Sequence, residues 1–468
     1  MATVKRQIGK SKVPSDVIFP SAVESRPEDL QVEVCWSTEW RNGMIDQERL
    51  EKGLYWQKAW TLIDGCRKVS PGCDNCWAEA QAKRFSNHPN EKISERANQV
   101  LWFDDADYPQ GFAGNVLLRE DNLDLPLRTR KPTVFAIWND LYHEDVTDEF
   151  RDRAYAVMAL CQQHIFLVLT KRAERMAAYF VEFDEFSFDW TDEWRSASYR
   201  VSCDDDPNGS RAWHDETARL EDSISISCKS LDESGYLPNV WHGVTAENQE
   251  MADQRIPYLL KVPGNKFISI EPMIAPVNFV EHLECDQCGW TPFKLFAAER
   301  EMNALAIKRW DSWKCPQHYN PYGSCDGILK GIDAVLLGGE SGKNARPLHP
   351  DWVRSVRDQC AEAGVSFYFK QWGEWVPAKF HGDQESPGFY RCENGECIDM
   401  EEMFPKDSDE DKWLKWIEEK TYVFSAGSYW ADPVTCFSAT CGVRVGKKKA
   451  GRTLDGRTHD DLPWLVKP

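Results

Sequence analysis

Along this chain, short unbroken apolar runs end in polar residues and alternate with stretches of helical spacing. The runs cover residues 115–118, 133–138, 164–169, 239–244, 266–270, 333–337 and 365–369. Helices are predicted at 147–161, 172–180, 248–260 and 351–363, where apolar positions recur every three or four residues. Strands that are apolar without alternation are buried on both faces, which means a parallel sheet covered by helices. The fold class is therefore α/β. Seven or eight such units closing on themselves give a parallel (β/α) barrel, complete or partial. A doubly wound open sheet is the runner-up, and no G-x-G-x-x-G follows the first strand to support a dinucleotide site.

Three segments break the rhythm and read as insertions into a single barrel-type catalytic domain spanning 31–468. Residues 181–235 hold fifteen Asp/Glu against five Lys/Arg and show no sustained period, as solvated charge runs do. Residues 281–330 carry a cysteine group. Residues 376–442 mix Gly, Pro and acidic residues with Cys392, Cys397, Cys436 and Cys441, to which the sequence assigns no role. Residues 1–30 are polar, contain Pro14, Pro20 and Pro27, and are expected to form a mobile arm. Residues 31–59, rich in Trp, are expected to cover one end of the barrel.

The chemistry is concentrated in residues 60–85. Cys66, Cys73 and Cys76 lie in a Gly/Pro-punctuated loop between an apolar run and the helix-like stretch 77–85. A strand–loop–helix with thiols in the loop places soft ligands at the carboxyl end of a strand, where α/β folds keep their chemistry. Three thiolates are one short of a closed tetrahedral site. On a [4Fe–4S] cluster that leaves one iron for a non-protein ligand. A structural zinc with a fourth ligand from elsewhere fits the same three residues, and on local spacing the two readings stand level.

A second group reads ECDQCGW and WKCPQHYNPYGSC. Cys285 and Cys288 form a C-x2-C knuckle, and Cys315 with either His318 or Cys325 completes four ligands across an intervening loop of twenty-six residues. That spacing favours a structural zinc. Sixteen cysteines in so long a chain, clustered as C-x2-C pairs, point to metal rather than a disulfide framework. No stretch of eighteen apolar residues spans a membrane, and the N-terminus has no apolar core of a secretory signal. A soluble, cytoplasmic protein is expected. The formal charge of −20 argues against a general polyanion binder, although half of it sits in residues 181–235 and residues 444–457 carry six cations.

Polar residues directly after barrel strands converge on one mouth. Here they include Asn139 and Asp140, Lys171, Glu247, Glu271, the run Gly338, Gly339, Glu340 and Ser341, and Lys370 and Gln371. Any one of them can cap a helix or pair with a neighbour. As a set they mark a functional mouth. The paired glycines of GGESG would let backbone N–H groups approach a ligand, with a carboxylate suited to an amino group.

Taken in order, the stretches G-C-x6-C-x2-C-W-A-E, IWNDLYHEDV, VLTKRAERM, LPNVWHGVTAENQEMADQRIPYLL, FISIEPMIAPV, LLGGESGKNARPLHPDWVRSVRDQC and YFKQWGEW resemble a phage- and prophage-encoded family of unknown function. That family has a three-cysteine motif and is similar to radical S-adenosylmethionine enzymes. The resemblance implies a partial barrel in which Cys66, Cys73 and Cys76 bind a [4Fe–4S] cluster whose fourth iron takes S-adenosylmethionine. Reduction would yield a 5′-deoxyadenosyl radical, with a reductant protein as partner and a small molecule, nucleotide or nucleic-acid base as substrate. On that reading Asn139, Asp140, Gly338, Gly339, Glu340 and Ser341 contact the cofactor, and Lys171, Glu247, Glu271, Lys370 and Gln371 serve substrate contact or proton transfer. The rival is a zinc-bearing binding module of a phage DNA-processing or host-conflict complex, without catalysis. A metal-dependent nuclease built on the strand-end carboxylates is a third reading.

Overall fold

A computed structural model describes residues 47–181, 236–285, 329–381, 389–392, 397–399, 421–423 and 440–465. Seven strands form its main sheet: β1 (Lys58–Thr61), β2 (Val134–Trp138), β3 (Ile165–Thr170), β4 (Val240–Thr245), β5 (Asn265–Ile270), β6 (Ala334–Gly338) and β7 (Ser366–Gln371). All neighbours are parallel and the spatial order follows the chain order. A doubly wound sheet reverses its strand order at a switch point; this one does not, so that alternative falls. Among the described residues β1 and β7 do not pair, and the architecture is a partial parallel (β/α) barrel rather than a complete one.

Six of the seven predicted runs became strands β2 to β7. The run at 115–118 did not join the sheet. Only Leu117–Leu118 is extended, and it pairs antiparallel with Ile63–Asp64 just beyond β1. The slot beside β2 belongs to β1, whose Trp60 lies opposite Ile137.

The longer helices among the described residues are α1 (Trp77–Phe85), α2 (Glu91–Val100), α3 (Asp148–Leu160), α4 (Ala173–Val181), α5 (Gln249–Leu259) and α6 (Pro350–Ala363). Their starts follow local chemistry. The Thr147 side chain accepts from the Phe150 amide, Asn248 from Met251, and His349 from Asp351 with Pro350 at the first helical position. Gly364, in the left-handed region at φ 67°, ends α6.

Alternate strand residues feed two cores. One face packs under the helices, with Trp60, Phe135, Phe166 and Ile268 fully buried there. The inner face carries Val134, Leu167, Trp241, Phe267, Leu336 and Tyr368. It is filled from the open side by Tyr55 and by Leu462 and Trp464 near the C-terminus. Each such side chain contributes about 1.5–3 kcal/mol. The C-terminal segment also covers the free edge of β7: the Phe369 amide donates to the His459 carbonyl at 3.0 Å, and Tyr368 bridges to Asp460. Buried Arg452 donates to the Phe369 carbonyl at 3.1 Å, so one cation of the 444–457 run is structural.

The described parts of 376–442 belong to a separate five-stranded antiparallel sheet, in which Cys392 and Cys441 are buried on either side of Ala378. The insertion at 281–330 begins and ends in a two-stranded ribbon, Glu284–Cys285 with Leu329–Lys330. Cys288, Cys315, His318 and Cys325 lie outside the described residues, as do the predicted arm at 1–30 and nearly all of the acidic segment. Among the described residues no helix is long and apolar enough to cross a membrane.

A buried polar chain crosses the outer core. His242 Nε2 on β4 lies 3.0 Å from the Tyr155 hydroxyl, which meets the Tyr142 hydroxyl at 2.6 Å. Burial, with Lys266 nearby, pushes the imidazole down to about 3. The unfolded chain takes up that proton near pH 6.5 and the folded chain does not. Stability is therefore full above about 6.5 and is lost as pH falls toward 3. Urea midpoints should decline between pH 6.5 and 5 in the native protein and less steeply in His242→Gln. Equal slopes would remove His242 from the account.

Candidate functional site

Beyond β1 the chain turns at Gly65 into a loop carrying Cys66, Cys73 and Cys76, and re-enters helix at Trp77. All three thiols are free and half-buried. The loop lies over the carboxyl ends of the strands and is tied to three of the segments that follow them.

From β3, Arg172 donates to the Arg67 carbonyl at 3.3 Å and sets Nη1 4.0 Å from Cys66 Sγ. The same guanidinium pairs with buried Asp140, from β2, at 2.9 Å and with Glu144 at 2.9 Å. After β4, fully buried Glu247 accepts from the Gly72 amide at 3.1 Å and from Arg255 of α5 at 2.8 Å. A Cβ on Gly72 would sit 2.9 Å from the Glu247 carboxyl carbon, so the backbone comes this close only as glycine. After β6, Glu340 receives Arg346 at 2.7 and 2.9 Å, and Arg346 reaches on to the Pro71 carbonyl at 3.0 Å.

These clamps account for several residues expected to meet a cofactor. The Glu340 carboxylate is taken by Arg346. Asp140 accepts from the Thr170 hydroxyl at 2.6 Å, the Lys171 amide at 3.1 Å and Arg172. Asn139, in the left-handed region at φ 62°, donates to the Ile63 carbonyl at the root of the loop. Gly339 is approached by the Trp372 backbone and not by open space. Gln371, buried, lies 3.5 Å from the Gly339 carbonyl. Gly338 abuts Glu271, and Ser341 is half-buried beyond β6.

Two other expected residues pair with each other. Lys370 Nζ lies 2.6 and 2.8 Å from the two oxygens of Glu271, and 5.5 Å from the centre of the Tyr55 ring. Strand alternation puts this pair, with Lys171, on the inner face above Phe267, Tyr368 and Leu167. Lys171 Nζ is 3.5 Å from the Thr245 hydroxyl. The mouth thus holds a carboxylate and two amines on the barrel side.

Electrostatics differ between the clamps and the thiols. Burial opposes ionisation of Glu247, but Arg255, the Ser70 hydroxyl and Lys171 outweigh it and hold the carboxyl below its ordinary range. Burial, followed by Asp140, pushes the Cys66 thiol up to about 11 against the pull of Arg172. Cys66 is a neutral thiol at pH 7 until something replaces its proton. Among the described residues no three His, Cys, Asp or Glu side chains stand close enough to hold a metal ion. The donor set suits an iron–sulfur cluster in kind and number, and holding one requires the loop to draw the three sulfurs together.

A family model described as a protein of unknown function, DUF5131, matches residues 52–463. The chain belongs to this family. The DUF5131 span takes in all seven strands of the sheet, the cysteine loop and the C-terminal segment as far as residue 463, one short of Trp464. No curated protein and no solved structure matches the chain.

Sequence reasoning missed Arg255 and Arg346. A search for polar residues directly after strands does not reach Arg255, eight residues past Glu247 inside α5. Arg346 lies six residues past Glu340, within the quoted GGESGKNARP, where its side chain carried no signal of a partner in the cysteine loop.

Proposed function

We propose that this chain is an iron–sulfur enzyme of the radical S-adenosylmethionine type, acting on a nucleotide or a nucleic-acid base. The observation that carries the reading is the placement of Cys66, Cys73 and Cys76. They are three free thiols on the loop leaving the first strand of a partial parallel barrel, where the strand ends converge. The resemblance to a phage- and prophage-encoded three-cysteine family points the same way. Cys66, Cys73 and Cys76 would hold the cluster, which when bound would supply one-electron reductive cleavage of S-adenosylmethionine, the electron coming from a reductant protein.

The chain's own residues position and shield. Arg172 keeps a positive charge 4.0 Å from Cys66 and so offsets negative charge on that sulfur. Glu247 and Arg346 pin the middle of the loop. Lys370 holds a proton between both oxygens of Glu271, and the pair can give or take it at Nζ.

The test is anaerobic reconstitution followed by reduction with S-adenosylmethionine present. About four irons per chain are expected, with release of 5′-deoxyadenosine, and both should vanish in the triple Cys66/Cys73/Cys76→Ala variant. Iron uptake that survives the triple substitution sinks the assignment.

A second reading, a non-catalytic zinc-bearing module, draws support from the engagement of Asp140, Glu247 and Glu340 in holding the loop. It predicts zinc alone after purification, at both cysteine groups, with no cluster taken up.

A further inference from the structure

Helix α1 turns its apolar side away from both cores. Its one buried residue is Glu79, which pairs with Lys83 at 3.1 Å and Lys68 at 3.5 Å and accepts from the Phe112 amide at 3.3 Å. Trp77, Ala78, Gln81, Ala82 and Phe85 occupy another side, at the spacing of one helical face, and line a cavity of about 200 Å³. Trp77 stays 54 % exposed, although it meets Trp138 edge to face at 4.8 Å. A tryptophan left so open beside a cavity, on a helix with no apolar residue buried, marks a face that a ligand would cover.

The polar part of the lining restricts what fits. Asp64 Oδ2 lies 3.3 Å from Arg119 Nη1 and 3.8 Å from Arg96 Nε. Arg119 is also committed to Asp121, through two bonds of 2.9 Å. Arg96 makes no hydrogen bond among the described residues, and its contact with Asp64 is longer than one. The cavity therefore offers a planar donor fork beside a carboxylate acceptor. A lone carboxylate or phosphate would be drawn to Arg96 and repelled by Asp64. A heterocycle with acceptors and N–H donors along adjoining edges satisfies both.

The geometry points to a purine with a guanine-type edge as the occupant of this cavity. Guanine offers the O6 and N7 acceptors that arginine meets with two bonds, and its N1–H and N2–H groups suit Asp64. Adenine puts an amino donor next to N7, where Arg96 has only donors to present. Trp77 supplies an exposed indole for stacking. About 200 Å³ holds one ring system and is smaller than the sites that enclose drug-sized ligands. The site adjoins both roots of the cysteine loop, since Asp64 and Gly65 precede Cys66 and Trp77 follows Cys76. That the bound base is the substrate rests on the function proposed above. Its binding does not, because every group named is in place without iron.

Equilibrium dialysis of the full chain, free of iron and S-adenosylmethionine, against guanosine, adenosine and cytidine tests this. Guanosine should be retained about tenfold or more over the other two. Arg96→Ala, Arg96→Lys and Trp77→Ala should each weaken that retention by a similar factor while thermal melting stays unchanged. Arg96→Lys keeps the charge and removes only the fork. Failure of the native protein to retain any nucleoside at millimolar concentration overturns the proposal. So does equal retention of all three, preference for adenosine, or indifference to Arg96→Ala. Guanosine retention in a chain that takes up no iron leaves the base site standing and removes the radical chemistry.

Discussion

Glu247→Ala should cost about 3–5 kcal/mol of folding stability, because it strips the partner from a buried arginine. Glu247 is fully buried and Arg255 is 5 % exposed, so neither can turn to water. After the substitution Arg255 keeps only the Thr245 carbonyl, at 2.7 Å, and the Gly72 amide loses its acceptor. Urea denaturation measures the loss. Glu247→Gln, which keeps an acceptor and the shape, should lose less. A second readout separates the clamp from mere stability: under native conditions, thiol alkylation of Cys66, Cys73 and Cys76 should speed up as the loop lifts. The pH dependence has a definite sign. A carboxyl held below its ordinary range contributes stability that is present above about pH 4.5 and lost as pH falls through the folded value. Glu247→Gln should flatten that acid limb. A variant within about 1 kcal/mol of the native chain, with thiols no more reactive, would mean that Glu247 does not hold the loop.

Gly339→Ala should destabilise by about 3 kcal/mol or more, whereas Gly338→Ala next to it should cost about 1 kcal/mol or less. A Cβ at 339 would lie 1.9 Å from the Trp372 carbonyl oxygen, and that backbone has no room to yield. Trp372 is fully buried and its indole donates to the Thr453 carbonyl at 2.9 Å. Gly373, at φ 88°, closes the same crossing from the other side. At 338 the nearest atoms to a new Cβ are in the Glu271 side chain at 3.4 Å, an ordinary contact. Moving the crossing would also shift Glu340 and Lys370, so reconstituted activity should fall with stability in Gly339→Ala. Thermal melts of the two variants decide the matter, and equal losses would refute the crossing as the cause.

The GGESG run shows where reading the chain alone reached and where it stopped. Two adjacent glycines do signal close backbone approach, and the structure has that approach at Gly339. The partner at Gly339 is the chain's own Trp372, which no local property of GGESG could reveal. The strand-end carboxylates follow the same rule. Their positions at the mouth were legible, because an apolar run ending in polar residues ends a buried strand. Their partners were not, since Glu247 meets a glycine 175 residues away and Arg346 reaches a carbonyl 275 residues away.

By itself the sequence determined the alternation of strands and helices and the loop that carries three cysteines. Those properties depend on burial pattern and on hydrogen bonds that close within a few residues. Tertiary structure alone decided that 115–118 stays out of the sheet, that β1 and β7 do not pair among the described residues, and that Glu340, Asp140 and Glu247 brace the cysteine loop. Those outcomes depend on which surfaces meet after the chain has folded back on itself, and contacts between distant residues leave no period or spacing to read.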